Sequence, residues 1–414
     1  MSEPLVVIGN GMAAAKLCEE LAVQCLGRYA IAVVGAEPRL AYNRVLLSSL
    51  LAGEVAAPEL VLRPADWWRA RGITLVYDRP ALAIDRAGQR VALADGSFLP
   101  YEKLVLATGS HPVRLPLPGM ELPGVTAFRD MADVETLLAA AKPGTRAVVI
   151  GGGLLGLEAA TGLAGAGART TVVHLADRLM ERQLDAQAGA LLRRAVEGRG
   201  IEVRLNASSE AVEGEGRAQG LRLAGGEVIP ADLVVVACGV RPNADLARAA
   251  GLACNRGVLV DDGLATSDAA IFALGECAEH RGQVHGLVEP AYEQGRVLAR
   301  RLAGSPAAYP GSVTATNLKV SGVRVFSAGD FSGGEGTQDL VLSDPGAGIY
   351  RRLVLRAEAG GLRLAGAVLF GDTTDGLFYL DLIRSGRDVS ALRADLAFGR
   401  RDIPADSNPI AEAA

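Results

Sequence analysis

The chain has 414 residues, half of them hydrophobic and 21% charged, with 47 acids against 42 bases. At roughly 150 residues per domain this is room for about two to three domains with a large core, and it excludes a disordered chain. No clustered basic run offers a phosphate footprint, and two tryptophans are too few for a single-strand stacking platform, so nucleic acid is not an expected partner. The cysteines, Cys18, Cys25, Cys238, Cys254 and Cys277, are scattered and form no CxxC pair. A zinc site, a conventional iron–sulfur cluster and a disulfide framework therefore lack ligands, and no metal is expected. The start, Met-Ser-Glu-Pro, has no positively charged n-region. The long apolar run at 147–168 is broken by glycines and by Glu158, which suits a buried strand, turn and helix better than a membrane span. A soluble cytoplasmic protein with no membrane association is expected.

In chain order, the first informative segment is Leu5-Val6-Val7-Ile8, a β-branched run that suits a fully buried parallel strand. It runs into Gly9-Asn10-Gly11-Met12-Ala13-Ala14, which reads GxGxxA, then a helical pattern through Leu17 and Leu21, then a second strand, Ile31–Val34, followed by Glu37. Each part has a mechanical use. Gly9 permits the tight turn, Gly11 lets backbone approach a pyrophosphate, and Ala14 permits close helix–strand packing. The helix N-terminus offers N–H donors and a positive dipole end, and Glu37 can accept from the ribose hydroxyls of an adenosine.

The pattern recurs 142 residues later. Arg146–Ile150 reads as a strand, Gly151-Gly152-Gly153-Leu154-Leu155-Gly156 as GxGxxG, with Glu158 two positions on, and a helix runs to about Gly165 before the strand Thr170–Val173. Two such units imply two dinucleotides, or one dinucleotide bound twice, and two different ones with adjacent reactive rings is the more useful design. At the end of the later strand the expected acid is missing: His174 stands there, with Arg178 nearby. A carboxylate would repel a 2′-phosphate; these residues permit one without demanding it, so NADH and NADPH both stay open. Discrimination between them within about tenfold is the expectation.

Other segments carry a resemblance. Residues 104–110 read Leu-Val-Leu-Ala-Thr-Gly-Ser, residues 266–277 read TSDAAIFALGEC, and Gly239-Val240-Arg241-Pro242-Asn243 reads GxRPN. With the paired glycine turns, these resemble the pyridine-nucleotide–disulfide oxidoreductase superfamily of FAD enzymes. Ala41–Ser49, the run at 151–160, LMERQLD at 179–185, and the stretches 318–323, 326–330 and 379–384 are similar to the flavoprotein part of bacterial nitrite reductase large subunits and assimilatory nitrate reductases, with rubredoxin reductases as near relatives.

The resemblance implies an α/β fold of two Rossmann-like dinucleotide-binding domains, the FAD domain split around an inserted NAD(P)H domain, plus a C-terminal α+β interface domain. The implied boundaries are 1–118 and 240–312 for FAD, 119–239 for NAD(P)H, 313–400 for the interface domain and 401–414 for a mobile tail. It assigns FAD to Gly9, Gly11, Ala14, Glu37, Arg44, Ser48, Thr108, Gly109, Gly275, Glu276 and Glu289. NAD(P)H falls to Gly151, Gly153, Gly156, His174, Arg178 and Gly239, with Glu158 beside the nicotinamide. Where rubredoxin reductases have the lysine of LSK, Ser49 stands here.

The implied activity takes hydride from NAD(P)H onto FAD and passes electrons to an iron–sulfur or other metal-containing reductase subunit, foremost a nitrate or nitrite reductase, or to a small electron carrier. A rubredoxin or ferredoxin reductase of another pathway and a non-catalytic signalling flavoprotein are the alternatives, and a homodimer is admitted.

Overall fold

The computed structural model describes residues 2–320 and 323–400; the expected mobile tail at 401–414 lies outside the described residues. The chain divides into two compact units, 1–113 with 129–131 and 239–312, and 114–128 with 132–238 and 313–414. These breaks fall at 113/114 and 238/239, where the sequence places them at 118/119 and 239/240.

The first unit is built on a parallel sheet in the spatial order Ile271–Ala273, Lys103–Leu106, Glu3–Ile8, Tyr29–Val34, Thr74–Val76. Alternate residues of Glu3–Ile8 face opposite sides, and both sides are covered. Leu5 and Val7 join a core with Leu17 and Leu21 of the helix Met12–Gln24 and Leu298 and Leu302 of the helix Val288–Leu302. Val6 and Ile8 join another with Ile84 and Val91 of an antiparallel three-stranded sheet, Ala81–Asp85, Arg90–Leu93 and Phe98–Pro100. Two covered faces explain the continuous apolar reading of the strand. Each fully buried leucine contributes about 2 kcal/mol to this arrangement.

The second unit repeats the wiring. Its parallel sheet runs Glu202–Arg204, Arg169–Val173, Arg146–Ile150, Leu233–Val236, Val125–Ala127. Its own antiparallel trio, Ser209–Glu213, Gly220–Leu223 and Val228–Pro230, covers Val148, Ile150, Val173 and Val234. In each sheet the glycine turn leaves the central strand. The strand beyond the neighbour of the glycine-bearing strand comes last in the chain in the first sheet and first in the second.

Residues 313–400 add an antiparallel sheet ordered Ala315–Val320, Val323–Gly329, Gly361–Phe370, Ile349–Glu358, Thr337–Asp344, with the helix Gly376–Ser385 packed on it. Among the described residues no helix is long and apolar enough to cross a membrane. No cluster of three or more His, Cys, Asp or Glu is placed to hold a metal ion among them either.

One buried cation ties this last region together. Arg351, 4% exposed, donates to the Tyr379 hydroxyl at 2.8 Å and the Ala397 carbonyl at 3.0 Å, and pairs with Asp375 at 3.2 Å. Tyr379 in turn donates to the Leu396 carbonyl at 2.7 Å. Tyr379→Phe removes one acceptor from the guanidinium and one donor from Leu396, and should lower stability by about 2 kcal/mol, measured as a lower urea midpoint with unchanged slope.

Candidate functional site

The glycines of the two turns fall into two kinds. Gly9 has φ +116°, and a Cβ there would lie 2.0 Å from the Ala107 carbonyl oxygen at the end of the neighbouring strand. Gly151 matches it, with φ +123° and the Ala237 carbonyl oxygen at 2.4 Å. These two are glycine because the chain itself leaves no alternative. Gly11 and Gly153 are different. Both have negative φ, −109° and −81°, and a Cβ on either would meet nothing within 4 Å. Neither conformation nor packing within the protein requires glycine there, so the open space belongs to something else.

The helices that start at these positions, Met12–Gln24 and Leu154–Gly165, have no side-chain cap and no acid in the first turn. By contrast Asp185 caps the helix Ala186–Glu197 on two backbone N–H groups. Two open N-termini, each faced by a glycine with free space before it, make two cradles for an anion held by backbone N–H donors. Asn10, between Gly9 and Gly11, adds a buried Oδ1 with no hydrogen-bond partner. The sixth motif positions differ for a physical reason. A Cβ on Gly156 would lie 1.9 Å from the Gly151 carbonyl oxygen, whereas Ala14 is accommodated fully buried.

Around the first cradle, acids and cations arrive in pairs. Glu37 accepts from the Tyr42 hydroxyl at 2.8 Å and is ion-paired with Arg44, whose Nη1 donates to the Arg129 carbonyl at 3.1 Å. Burial by itself lowers the Arg44 pKa, but Tyr42, Glu37 and Asp130 outweigh it and raise it above its ordinary value. Burial, with Glu37 beside it, pushes the Tyr42 phenol well above the usual range. Glu276 is paired with Arg129 and accepts from Ser110 at 2.7 Å. Arg129–Met131 belongs to the first unit although the segments on either side of it belong to the second. The Met131 N–H donating to the Tyr42 hydroxyl at 3.2 Å completes the anchorage.

Thr108 and Gly109 are clamped to the GxRPN segment. The Thr108 hydroxyl donates to the Asn243 carbonyl at 2.7 Å, and the Asn243 amide donates back to the Thr108 carbonyl at 2.8 Å. Gly275, φ +79°, donates its N–H to the buried Gln294 at 2.7 Å. Ser48 bonds only locally, at 3.4 Å to the Val45 carbonyl, and Ser49 sits in the same short helix, Leu47–Leu51. Glu289 is exposed in the first turn of Val288–Leu302.

In the second unit, Glu158 is half-buried on Leu154–Gly165, and Gly239, whose backbone belongs to the first unit, has φ +98°. The His174 ring lies against Gly152 and bonds to Glu181. Arg178 donates to the Leu184 carbonyl at 3.1 Å and to Asp177 at 2.9 Å. All five cysteines are free. Burial raises the thiol of Cys18 to about 12, far from a reactive thiolate. Sequence reasoning missed Arg129, Tyr42 and Glu181. Arg129 has no local signature, while Tyr42 and Glu181 lie in segments, Ala41–Ser49 and 179–185, whose likeness to relatives is visible in the sequence.

Residues 3–295 match the pyridine nucleotide-disulphide oxidoreductase family. The chain belongs to that family. Residues 315–387 match the rubredoxin NAD+ reductase C-terminal domain. Among curated relatives, the chain is 45% identical over 387 residues to a nitrite reductase [NAD(P)H] of Bacillus subtilis (strain 168), covering 93% of this chain and 48% of that protein. It is 40% identical to the assimilatory nitrate reductase electron transfer subunit of the same organism, covering 95% and 50%. The chain thus spans about half the length of these relatives. The covalent putidaredoxin reductase–putidaredoxin complex superposes with a TM-score of 0.88 at 26% identity, covering 100% of this chain and 99% of that one. The protein is an NAD(P)H oxidoreductase with two Rossmann-like domains, and FAD and NAD(P)H are its cofactors. The two open cradles and the unpartnered Asn10 oxygen fit two dinucleotides.

The two kinds of glycine predict opposite phenotypes. Gly9→Ala should lower the melting temperature of the flavin-free protein by several degrees, because the new Cβ strikes the Ala107 carbonyl in a strained conformation. Gly11→Val should leave that melting temperature within about a degree of the parent yet abolish retention of flavin on gel filtration.

Proposed function

We propose that the chain takes electrons from NAD(P)H and delivers them to a metal-containing partner, foremost a nitrite or nitrate reductase component. The observation that carries this is the pair of open helix N-termini, one in each parallel sheet, each with a glycine whose missing Cβ leaves room for a pyrophosphate. In this reading the FAD domain comprises 1–118 and 240–312, the NAD(P)H domain 119–239 and the interface domain 313–400. The protein works in the cytoplasm, where its coenzyme and its free thiols belong.

Gly9, Gly11 and Ala14 form the FAD turn, with Glu37 on the ribose, Arg44 and Arg129 on the pyrophosphate, and Thr108, Gly109, Gly275 and Glu276 along the ribityl region. Ser48 and the N-terminus of the Glu289 helix lie toward the flavin ring. Gly151, Gly153 and Gly156 form the coenzyme turn, Glu158 orients the nicotinamide, and Gly239 gives the backbone freedom to pass between domains. Bound together, the two cofactors supply hydride transfer from nicotinamide to flavin and the onward release of electrons. The protein's part is to hold both with backbone donors, with the acids Glu37 and Glu276 each fixed by an arginine. A second reading, a reductase for a small carrier, is favoured by the whole-length likeness to putidaredoxin reductase.

The five isolated thiols give no iron–sulfur ligand set in this chain, so nitrogen-oxide chemistry is assigned to a partner or to a further part of the protein. The purified chain should oxidise NAD(P)H with ferricyanide and consume no nitrite or nitrate alone. Acid denaturation should release all its flavin into the supernatant. Nitrite consumption by the chain alone, measured colorimetrically, would overturn the donor assignment.

A further inference from the structure

The strand Arg169–Val173 ends without the acid that would receive an adenosine ribose. His174 occupies the place, its backbone N–H still donating across the sheet to the Arg204 carbonyl at 2.8 Å. The side chain turns toward the glycine turn, and the Gly152 N–H donates to its Nδ1 at 3.0 Å. That bond decides the tautomer. A nitrogen that accepts from a backbone N–H carries no proton, so the ring proton is on Nε2, which donates to the Glu181 carboxylate at 3.0 Å.

Gly152 is the middle position of GxG, where the nucleotide-binding turn makes no demand for glycine. Here the demand comes from the ring. A Cβ on Gly152 would lie 2.8 Å from His174 Cγ and 2.7 Å from Leu179 Cδ2. The loop carrying Glu181 is fastened to the same residue from its other side, since the Met180 N–H donates to the Gly152 carbonyl at 3.0 Å. Met180 is fully buried at φ +51°, a left-handed conformation in which a side chain persists only when its surroundings impose it. The Gln183 and Leu184 N–H groups both return to the Met180 carbonyl. Glu181 is thus held at the glycine turn by three contacts on Gly152 and His174, and its side chain remains 34% exposed. Arg178, the cation the sequence offered for a phosphate, donates to the Leu184 carbonyl and Asp177.

We propose that Glu181, presented by His174, replaces the missing strand-end acid and makes this chain select the coenzyme without a 2′-phosphate. The inference rests on the assignment of the coenzyme to the Gly151 turn. A carboxylate there accepts from ribose hydroxyls and repels a phosphate ester at the 2′ position. It reverses the near-equal use of NADH and NADPH expected from the sequence.

The test is calorimetric titration of the FAD-loaded protein with AMP and with adenosine 2′,5′-bisphosphate, beside kcat/KM for NADH and NADPH with ferricyanide. The parent should bind AMP on the order of 50-fold more tightly than the bisphosphate, with a matching NADH preference. Glu181→Gln should cut both ratios at least tenfold, chiefly by tighter binding of the bisphosphate. His174→Leu, which frees Glu181, should weaken AMP and narrow the ratio. Arg182→Ala, removing the exposed cation next to Glu181, should leave the ratio within about threefold. Equal binding of the two nucleotides by the parent, or an unchanged ratio in Glu181→Gln, overturns the proposal while leaving the Gly151 assignment standing. AMP binding that survives Gly153→Val would instead overturn that assignment and this inference with it.

Discussion

A diphosphate held by backbone N–H groups needs a helix N-terminus that no side chain has already satisfied, and it needs that end brought close to a strand. The second requirement is the stricter. To turn from strand into helix within three residues, the chain must pass so near the adjacent strand that Gly9 and Gly151 each face a carbonyl oxygen closer than a Cβ allows. Those carbonyls belong to Ala107 and Ala237, just beyond the strands Lys103–Leu106 and Leu233–Val236. Each of these strands must therefore lie beside the glycine-bearing strand, which is the order both sheets have. The antiparallel trios lead the chain into those strands while covering the sheet face opposite the helix. The repeated architecture is a consequence of one close approach made twice.

How much of this is legible in the sequence depends on the range of the cause. The central strands and glycine turns are written locally, because a strand buried on both faces is continuously apolar and a tight turn demands glycine. The antiparallel trios are not, since strands of three to five residues alternate too briefly to register. The strand Thr337–Asp344 is hidden for another reason: it lies at a sheet edge, largely exposed and polar. Arg129 is the clearest gap at the site. Its partners, Ser110 and Glu276, are 19 and 147 residues away. Only the detour of Arg129–Met131 into the first unit makes sense of them. His174 was visible as a residue and illegible as a geometry, because the room for its ring comes from Gly152, 22 positions earlier.

The two nucleotide sites differ in how each presents its acid, and the difference suits the two occupants on the assignment made above. Glu37 is held by Arg44, a cation, so the acid's charge is compensated within the protein; Glu276 is likewise compensated by Arg129. On that assignment the diphosphate of the resident cofactor would be held by the uncapped N-terminus of Met12–Gln24, which has no acid in its first turn. Glu181 is held by an imidazole that, in the tautomer imposed by Gly152, gives a hydrogen bond without giving a charge. The carboxylate keeps its field. A site of that kind recognises a ribose by accepting from it and adds no cation to the grip on the phosphates, which lets the coenzyme leave once its hydride is gone. The same strand, turn and helix thus serve a resident cofactor and an exchanging one, and the residue that braces the acid makes the distinction.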